Sequence, residues 1–325
     1  MLIATNRCIV PAHVNGDLGD EFAFGEDMNP KGANELRFAH ATKDQGAWQV
    51  RIVPEPGALS ADNLPSHDLF EQLARKCSQS GTHCLFYVHG YDKPFAETLE
   101  QGWLLQERYG VEVVLFSWPS NTGGFPLFEY RQARRVAQAS FGALDALFEK
   151  YGRYLNAWMT RAMQQGDERS LLACRSTTNL MAHSLGSYLL EHYVLSQAYQ
   201  AETRLFSNVV LSQADVNSVD HVKWVDKVAV GQRLYVTINE NDKILGWSEA
   251  LNPPRLGKTL ANLDSRRALY VDFTAARGVR TKHQLWGEVR NATVSGFFGS
   301  VFKGQRGETT PGLAFDSTVG AWRAA

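Results

Sequence analysis

The stretch NLMAHSLGSYLL, residues 179–190, runs from an apolar segment through a turn of small residues into a helical one, and its reading decides the fold. Leu180, Met181 and Ala182 suit a strand buried on both faces. Tyr188, Leu189 and Val194 follow at helical spacing. Between the two, Ala182-His183-Ser184-Leu185-Gly186 predicts a nucleophile elbow, a strand-to-helix turn that lifts a serine hydroxyl above the sheet edge. Such a turn crowds backbone and helix atoms around the serine, so small residues are needed at 182 and 186; Ala182 stands where glycine is commoner. The serine backbone itself is expected to be strained.

Outward from this turn, the chain beyond Cys84 alternates short apolar runs with longer stretches of helical period, the pattern of parallel strands covered by helices on both faces. The runs are CLFYVHG (84–90), VEVVLFSWP (111–119), TTNLMAHS (177–184), SNVVLSQADV (207–216), RLYVTINEND (233–242) and RALYVDFT (267–274). Each lacks clean polar alternation, as a strand buried on both faces should. Between Pro119 and Thr177, Phe141, Leu144, Phe148, Tyr151, Leu155 and Trp158 recur at three- and four-residue steps and predict an amphipathic helix or helix pair facing the core. Before Cys84, MLIATNRCIV, ELRFAHATKD and AWQVRIVPEP read as antiparallel strands joined by Gly- and Asp-rich loops. The expected organisation is one α/β domain over residues 1–296, with N-terminal strands over 1–83 extending the sheet and a catalytic core over 84–296. The Gly-rich tail, 297–325, with GQRGETTPG (304–312) as its weakest part, is expected to be weakly structured.

Composition excludes several classes of function. Hydrophobic residues make up 44% and charged residues 21% of the 325, so disordered and fibrous readings fall away. A formal net charge of -1 gives no basic excess for a phosphate backbone, and nucleic acid is not an expected partner. Cys8, Cys77, Cys84 and Cys174 show no C-x-x-C spacing and read as free structural thiols of a reducing compartment. The segment MLIATNRCIVPAHVNGD lacks a basic start and an apolar run, and no apolar run suffices to span a bilayer; the cytoplasm is the expected location.

A serine hydroxyl needs a base to remove its proton and a carboxylate to orient that base. In a strand-elbow-helix fold the acid follows a later strand and the histidine lies beyond the last one. His283, in TAARGVRTKHQLW (274–286), is the one histidine beyond the final predicted strand. Asp242, at the end of RLYVTINEND, is the first choice of acid; Glu240 and Asp215 are the alternatives. Acyl transfer also needs two N–H donors for the developing oxyanion. Leu185, just after the serine, supplies one, and Tyr91 in CLFYVHGYDKPF (84–95) the other, with His89 organising that loop rather than acting as a base.

The ordered motifs VHGY (88–91), FSWPS (116–120), AHSLG (182–186), ADVN (214–217), NENDKIL (239–245) and the terminal histidine resemble a bacterial branch of the α/β-hydrolase superfamily. The resemblance spans about Cys84 to His283. It implies an α/β-hydrolase fold, a mostly parallel central sheet flanked by helices with antiparallel N-terminal strands, and a Ser184, Asp242, His283 triad with Tyr91 and Leu185 as oxyanion donors. The branch is grouped by fold and motif, so it implies no particular substrate. The activity expected is hydrolysis of an ester-like bond, carboxylester first, in a small-molecule or lipid-like acyl substrate, with no cofactor or metal required. An acyltransferase on the same triad and a non-catalytic binding or scaffold protein are the rival readings.

Other features are set aside. Arg131, Arg134 and Arg135 open the helix after FSWPS and read as a solvated face, with a grip on a substrate carboxylate or phosphate as the alternative. DVNSVDHVKW (215–224) lacks the chelator and glycine of a calcium loop, and NTGG (121–124) lacks the Lys-Ser/Thr of a phosphate loop. The acidic DLGDEFAFGED (17–27) is expected to be solvated.

Overall fold

The predicted apolar runs become the parallel heart of a thirteen-stranded sheet. The computed structural model describes residues 1–54, 65–121, 123, 126–165, 177–200 and 204–324. Cys174 and part of the NTGG stretch lie outside the described residues; Cys8, Cys77 and Cys84 are free thiols.

In chain order the strands are β1 (Leu2–Thr5), β2 (Arg7–Ile9), β3 (Val14–Asn15), β4 (Leu18–Gly19), β5 (Phe24–Met28), β6 (Arg37–Asp44), β7 (Ala47–Val53), β8 (His83–Val88), β9 (Val111–Ser117), β10 (Thr178–His183), β11 (Asn208–Ser212), β12 (Arg233–Ile238), β13 (Ala268–Asp272), β14 (Leu313–Asp316) and β15 (Ala321–Ala324). The main helices are α1 (Pro65–Ser80), α2 (Phe95–Tyr109), α3 (Pro126–Ala139), α4 (Phe141–Gln165), α5 (Leu185–Leu195), α6 (Lys243–Glu249) and α7 (Ala292–Phe302). The sheet order is β14-β15-β13-β12-β11-β10-β8-β9-β1-β6-β7-β4-β3, with every pair from β13 to β9 parallel. This is the α/β-hydrolase fold.

Alternate residues of the central strands feed two cores. Phe86, Val88, Leu180 and Ala182 face the layer built by α1, α3, α4 and α5. Leu85, Tyr87 and Met181 face the layer of α2 and α7, where Phe297, Phe298, Val301 and Phe302 are fully buried. A strand covered on both sides has no solvent-facing register, which is why these runs carry no polar alternation. The stripe from Phe141 to Trp158 lies along α4, with Leu144, Phe148 and Tyr151 buried under it.

Several expectations need correction. The segment MLIATNRCIV divides into two strands: β1 is parallel to β9 and antiparallel to β6, while β2 leaves the main sheet to pair with β5. The tail is not weakly structured. Residues 297–302 complete α7, and β14 and β15 form a hairpin whose second strand pairs parallel with β13. Arg323 in β15 ties this edge down through the buried Asp272 carboxylate and through Asp316. The acidic stretch 17–27 is only partly solvated: Ala23 and Phe24 are core residues, and Glu26 accepts from the wholly buried Arg7 guanidinium. No helix among the described residues is long and apolar enough to cross a membrane.

Candidate active site

Strand β10 ends at His183, and the next residue turns sharply into α5. Ser184 sits at φ 54°, ψ -124°, a left-handed region that residues other than glycine avoid. Backbone hydrogen bonds hold it there: its N–H donates to the Ser212 carbonyl at 2.9 Å, and its carbonyl accepts from the Asp215 N–H at 3.1 Å. Two glycines account for the crowding around it. A methyl group at Gly186 would lie 2.6 Å from the backbone oxygens of both Val88 and His89, so α5 packs on the end of β8 with no room for a side chain. A methyl at Gly90 would lie 2.8 Å from Ser184 Cβ, which sets the Gly90-Tyr91 turn against the serine.

His283 comes from the loop beyond β13, and its Nδ1 lies 2.7 Å from Asp242 Oδ2. A carboxylate oxygen accepts only, so Nδ1 carries the proton and Nε2 is left as the basic nitrogen. Asp242 is buried, and its other oxygen, Oδ1, accepts from the N–H groups of Ile244 and Leu245 as the N-cap of α6. One oxygen thus anchors the residue to a helix terminus, and the second is aimed at the imidazole. The strand β12 stops at Ile238, so Asp242 stands in the turn after it rather than on the strand.

Of the three candidate acids, Asp242 alone contacts His283. Glu240 is exposed. Asp215 is committed elsewhere: Oδ2 accepts from Tyr130 at 2.8 Å, Oδ1 from Ser248 at 2.6 Å, and the buried Arg255 guanidinium lies 3.7 Å away. Among the described residues, Ser184 Oγ has no hydrogen-bond partner, and neither the Leu185 nor the Tyr91 N–H donates to another protein group.

The turn that presents Tyr91 is built on His89. Its Nε2 accepts the Trp118 N–H at 3.1 Å, so the proton resides on Nδ1 and is donated to the Gly90 carbonyl at 2.9 Å. The ring stacks on Trp118, with 5.5 Å between centroids and 7° between planes. Complete burial, reinforced by the nearby Arg7 charge, holds the imidazole well below its ordinary pKa, so it stays neutral. Arg7 lies beneath, donating to the carbonyls of Lys93 and Trp118 and to Ser117 Oγ.

Sequence reasoning missed three supports of the site. Asn239 Nδ2 donates to the carbonyls of Arg280 and Lys282 at 3.0 and 2.8 Å, clamping the loop that ends at His283. His183 packs its ring 4.7 Å from that of His283 and lies 3.4 Å from the His283 carbonyl through Nε2. Arg7 is an isolated cation in an apolar N-terminal stretch. The one signal available was Asn239 at the end of an apolar run, a position where a short amide often ties down a neighbouring loop.

Comparison with known proteins adds one finding. No curated protein matches the chain. Residues 66–159 match the model of a family described as an alpha/beta hydrolase of unknown function (DUF900), a match that runs from α1 into α4 and includes Gly90 and Tyr91 but stops before Ser184. That match supports the α/β-hydrolase superfamily, and with it a hydrolase, as the relationship of this chain.

Proposed function

We propose that the protein is a serine hydrolase that cleaves an ester-like bond, a carboxylester first, through an acyl-enzyme on Ser184. The observation that carries this reading is the 2.7 Å bond from His283 Nδ1 to Asp242, made by the residues that follow an elbow serine in the expected chain order. The left-handed Ser184 backbone and the two uncommitted N–H groups support it.

In this mechanism Ser184 Oγ attacks the substrate carbonyl carbon while His283 Nε2 takes the hydroxyl proton. The imidazolium so formed is stabilised by Asp242. The carbonyl oxygen, now an oxyanion, accepts from the Leu185 and Tyr91 N–H groups. The bond to the leaving alcohol oxygen breaks as His283 returns the proton to it. Water then gives a proton to His283 and attacks the acyl carbon; the bond from that carbon to Ser184 Oγ breaks as His283 returns the proton to Oγ, releasing the carboxylic acid and regenerating Ser184.

The test is intact-protein mass after exposure to a fluorophosphonate, which labels activated serines. One adduct is expected on the wild type and none on Ser184→Ala. Absence of an adduct on both proteins, together with no turnover of 4-nitrophenyl acetate, defeats the reading.

A further inference from the structure

Of the three arginines in the middle of α3, Arg131 and Arg135 are solvated but Arg134 is not fully so. They border a cavity of about 260 Å³ whose other walls come from Tyr188 on α5 and from Leu251 and Asn252 just beyond α6. Arg134 is half-buried in it. Its guanidinium lies 4.0 Å over the Tyr188 ring and donates to Asn252 Oδ1 at 3.1 Å, so the fork is held flat before any ligand arrives. Arg131 and Arg135 reach the same cavity from adjacent turns of the helix and are exposed.

The charge balance here is one-sided. Among the described residues, the cavity's lining includes three arginines and no acidic residue, in a chain whose formal net charge is -1. Among the described residues none of the three arginines forms an ion pair; Glu191, which senses the Arg134 charge, makes no ion pair with it, and Asp215 is occupied by Tyr130 and Ser248. Like charges four residues apart on a helix repel one another, as Arg131 and Arg135 must. An oxyanion in the cavity would remove that repulsion and meet the planar donors that suit carboxylate and phosphate.

One wall of the cavity is tied to the turn that presents Tyr91. Tyr130 lines it, and the Tyr130 ring meets that of Tyr91 edge-on at 5.6 Å between centroids. The Tyr130 hydroxyl donates to Asp215, whose N–H in turn holds the Ser184 carbonyl. We infer that this cavity is a subsite for the anionic end of the substrate, a carboxylate or phosphate carried by the ester; the assignment to a substrate rests on the Ser184 reading, whereas anion binding does not.

Two measurements test it. Heat denaturation is followed in succinate, in phosphate and in sodium chloride at matched ionic strength, for the wild type and for Arg131→Gln/Arg135→Gln, a double variant of exposed side chains that leaves Arg134 in place. Succinate or phosphate is expected to raise the wild-type Tm beyond chloride, the larger shift identifying the group recognised, and the variant to lose most of that difference. Hydrolysis of 4-nitrophenyl hemisuccinate is compared with that of the neutral 4-nitrophenyl acetate. The wild type is expected to favour the charged ester, and the ratio of the two kcat/KM values to fall about tenfold in the variant, through KM. If neither ester is turned over and the fluorophosphonate leaves Ser184 unlabelled, the Ser184 reading has failed and the anion-dependent Tm shift alone decides the cavity. If both esters are turned over with the same ratio in wild type and variant, or if chloride shifts Tm as much as the oxyanions, the subsite is overturned while the hydrolase stands.

Discussion

Asp215 and Asp242 follow neighbouring parallel strands, β11 and β12, at the same edge of the sheet, and both carboxylates are buried. Their partners differ. Asp242 gives one oxygen to the N-terminus of α6 and the other to His283. Asp215 gives its oxygens to the Ser248 and Tyr130 hydroxyls, with Arg255 as its counter-charge. Burial at this edge therefore does not separate the proposed catalytic acid from a structural one; their partners do, an imidazole for Asp242 and hydroxyl donors for Asp215. Asp215 knits α3 to α6 and supports the serine through its backbone, and Asp242 orients an imidazole.

The largest effect should come from the change that breaks this division most directly. Asp242→Asn keeps a side-chain oxygen for the N-cap, so its Tm should stay near wild type, yet it offers His283 a neutral partner in place of a carboxylate. Ester turnover should fall by roughly 10⁴-fold. A fall of less than tenfold, measured by steady-state kinetics, would leave the two acids indistinguishable in function. Asp215→Asn should do the reverse. It leaves Arg255 buried beside a neutral amide, which should cost about 3 kcal/mol in urea unfolding while changing turnover far less. If Asp215→Asn lowers turnover as far as Asp242→Asn, the proposed division of roles is wrong.

A third change leaves both acids in place and displaces the serine they flank. Gly90→Ala puts a methyl group 2.8 Å from Ser184 Cβ, so the Tyr91 turn and the elbow must separate. Stability should drop by about 2 kcal/mol. Turnover should fall with it, since both proposed oxyanion donors depend on this contact, and a variant of unchanged kcat would show that Tyr91 is not a donor.

Much of this arrangement was legible because its parts obey local rules. The six central strands are apolar without alternation since both of their faces are covered, and the contact between His283 and Asp242 joins two residues singled out by their places after the last strands. The tail departs from the sequence expectation for a physical reason. Strands β14 and β15 are four residues each and sit at a half-exposed edge, so Leu313 and Trp322 are no more than partly buried and give no periodic signal. The network of Tyr130, Asp215, Ser248 and Arg255 joins residues up to 118 positions apart by polar contacts alone, which no spacing rule anticipates.

A third carboxylate sharpens the contrast by having no such partner. Glu191 on α5 makes no hydrogen bond among the described residues, and burial raises its carboxyl from 4.5 to about 7, against the opposing pull of Arg134 and Arg255. The folded chain thus holds a proton that the unfolded chain releases over that range. The stability linked to this proton is fully present below pH ~4.5 and is lost as the pH rises to ~7. Glu191→Gln should therefore show a flatter Tm between pH ~5 and ~7 than the wild type, the smallest of these effects. Equal slopes in the two proteins would mean that Glu191 ionises freely in the fold.

The contact at Gly186 bears on how this molecule can move. Helix α5 rests directly on the carbonyl oxygens of Val88 and His89, and the chain that leaves His89 carries Tyr91. The elbow and the Tyr91 turn are thus joined through one close contact. The clearance there is narrower than a methyl group, so a side chain at position 186 would have to push α5, and Leu185 at its start, away from the strand end that leads to Tyr91.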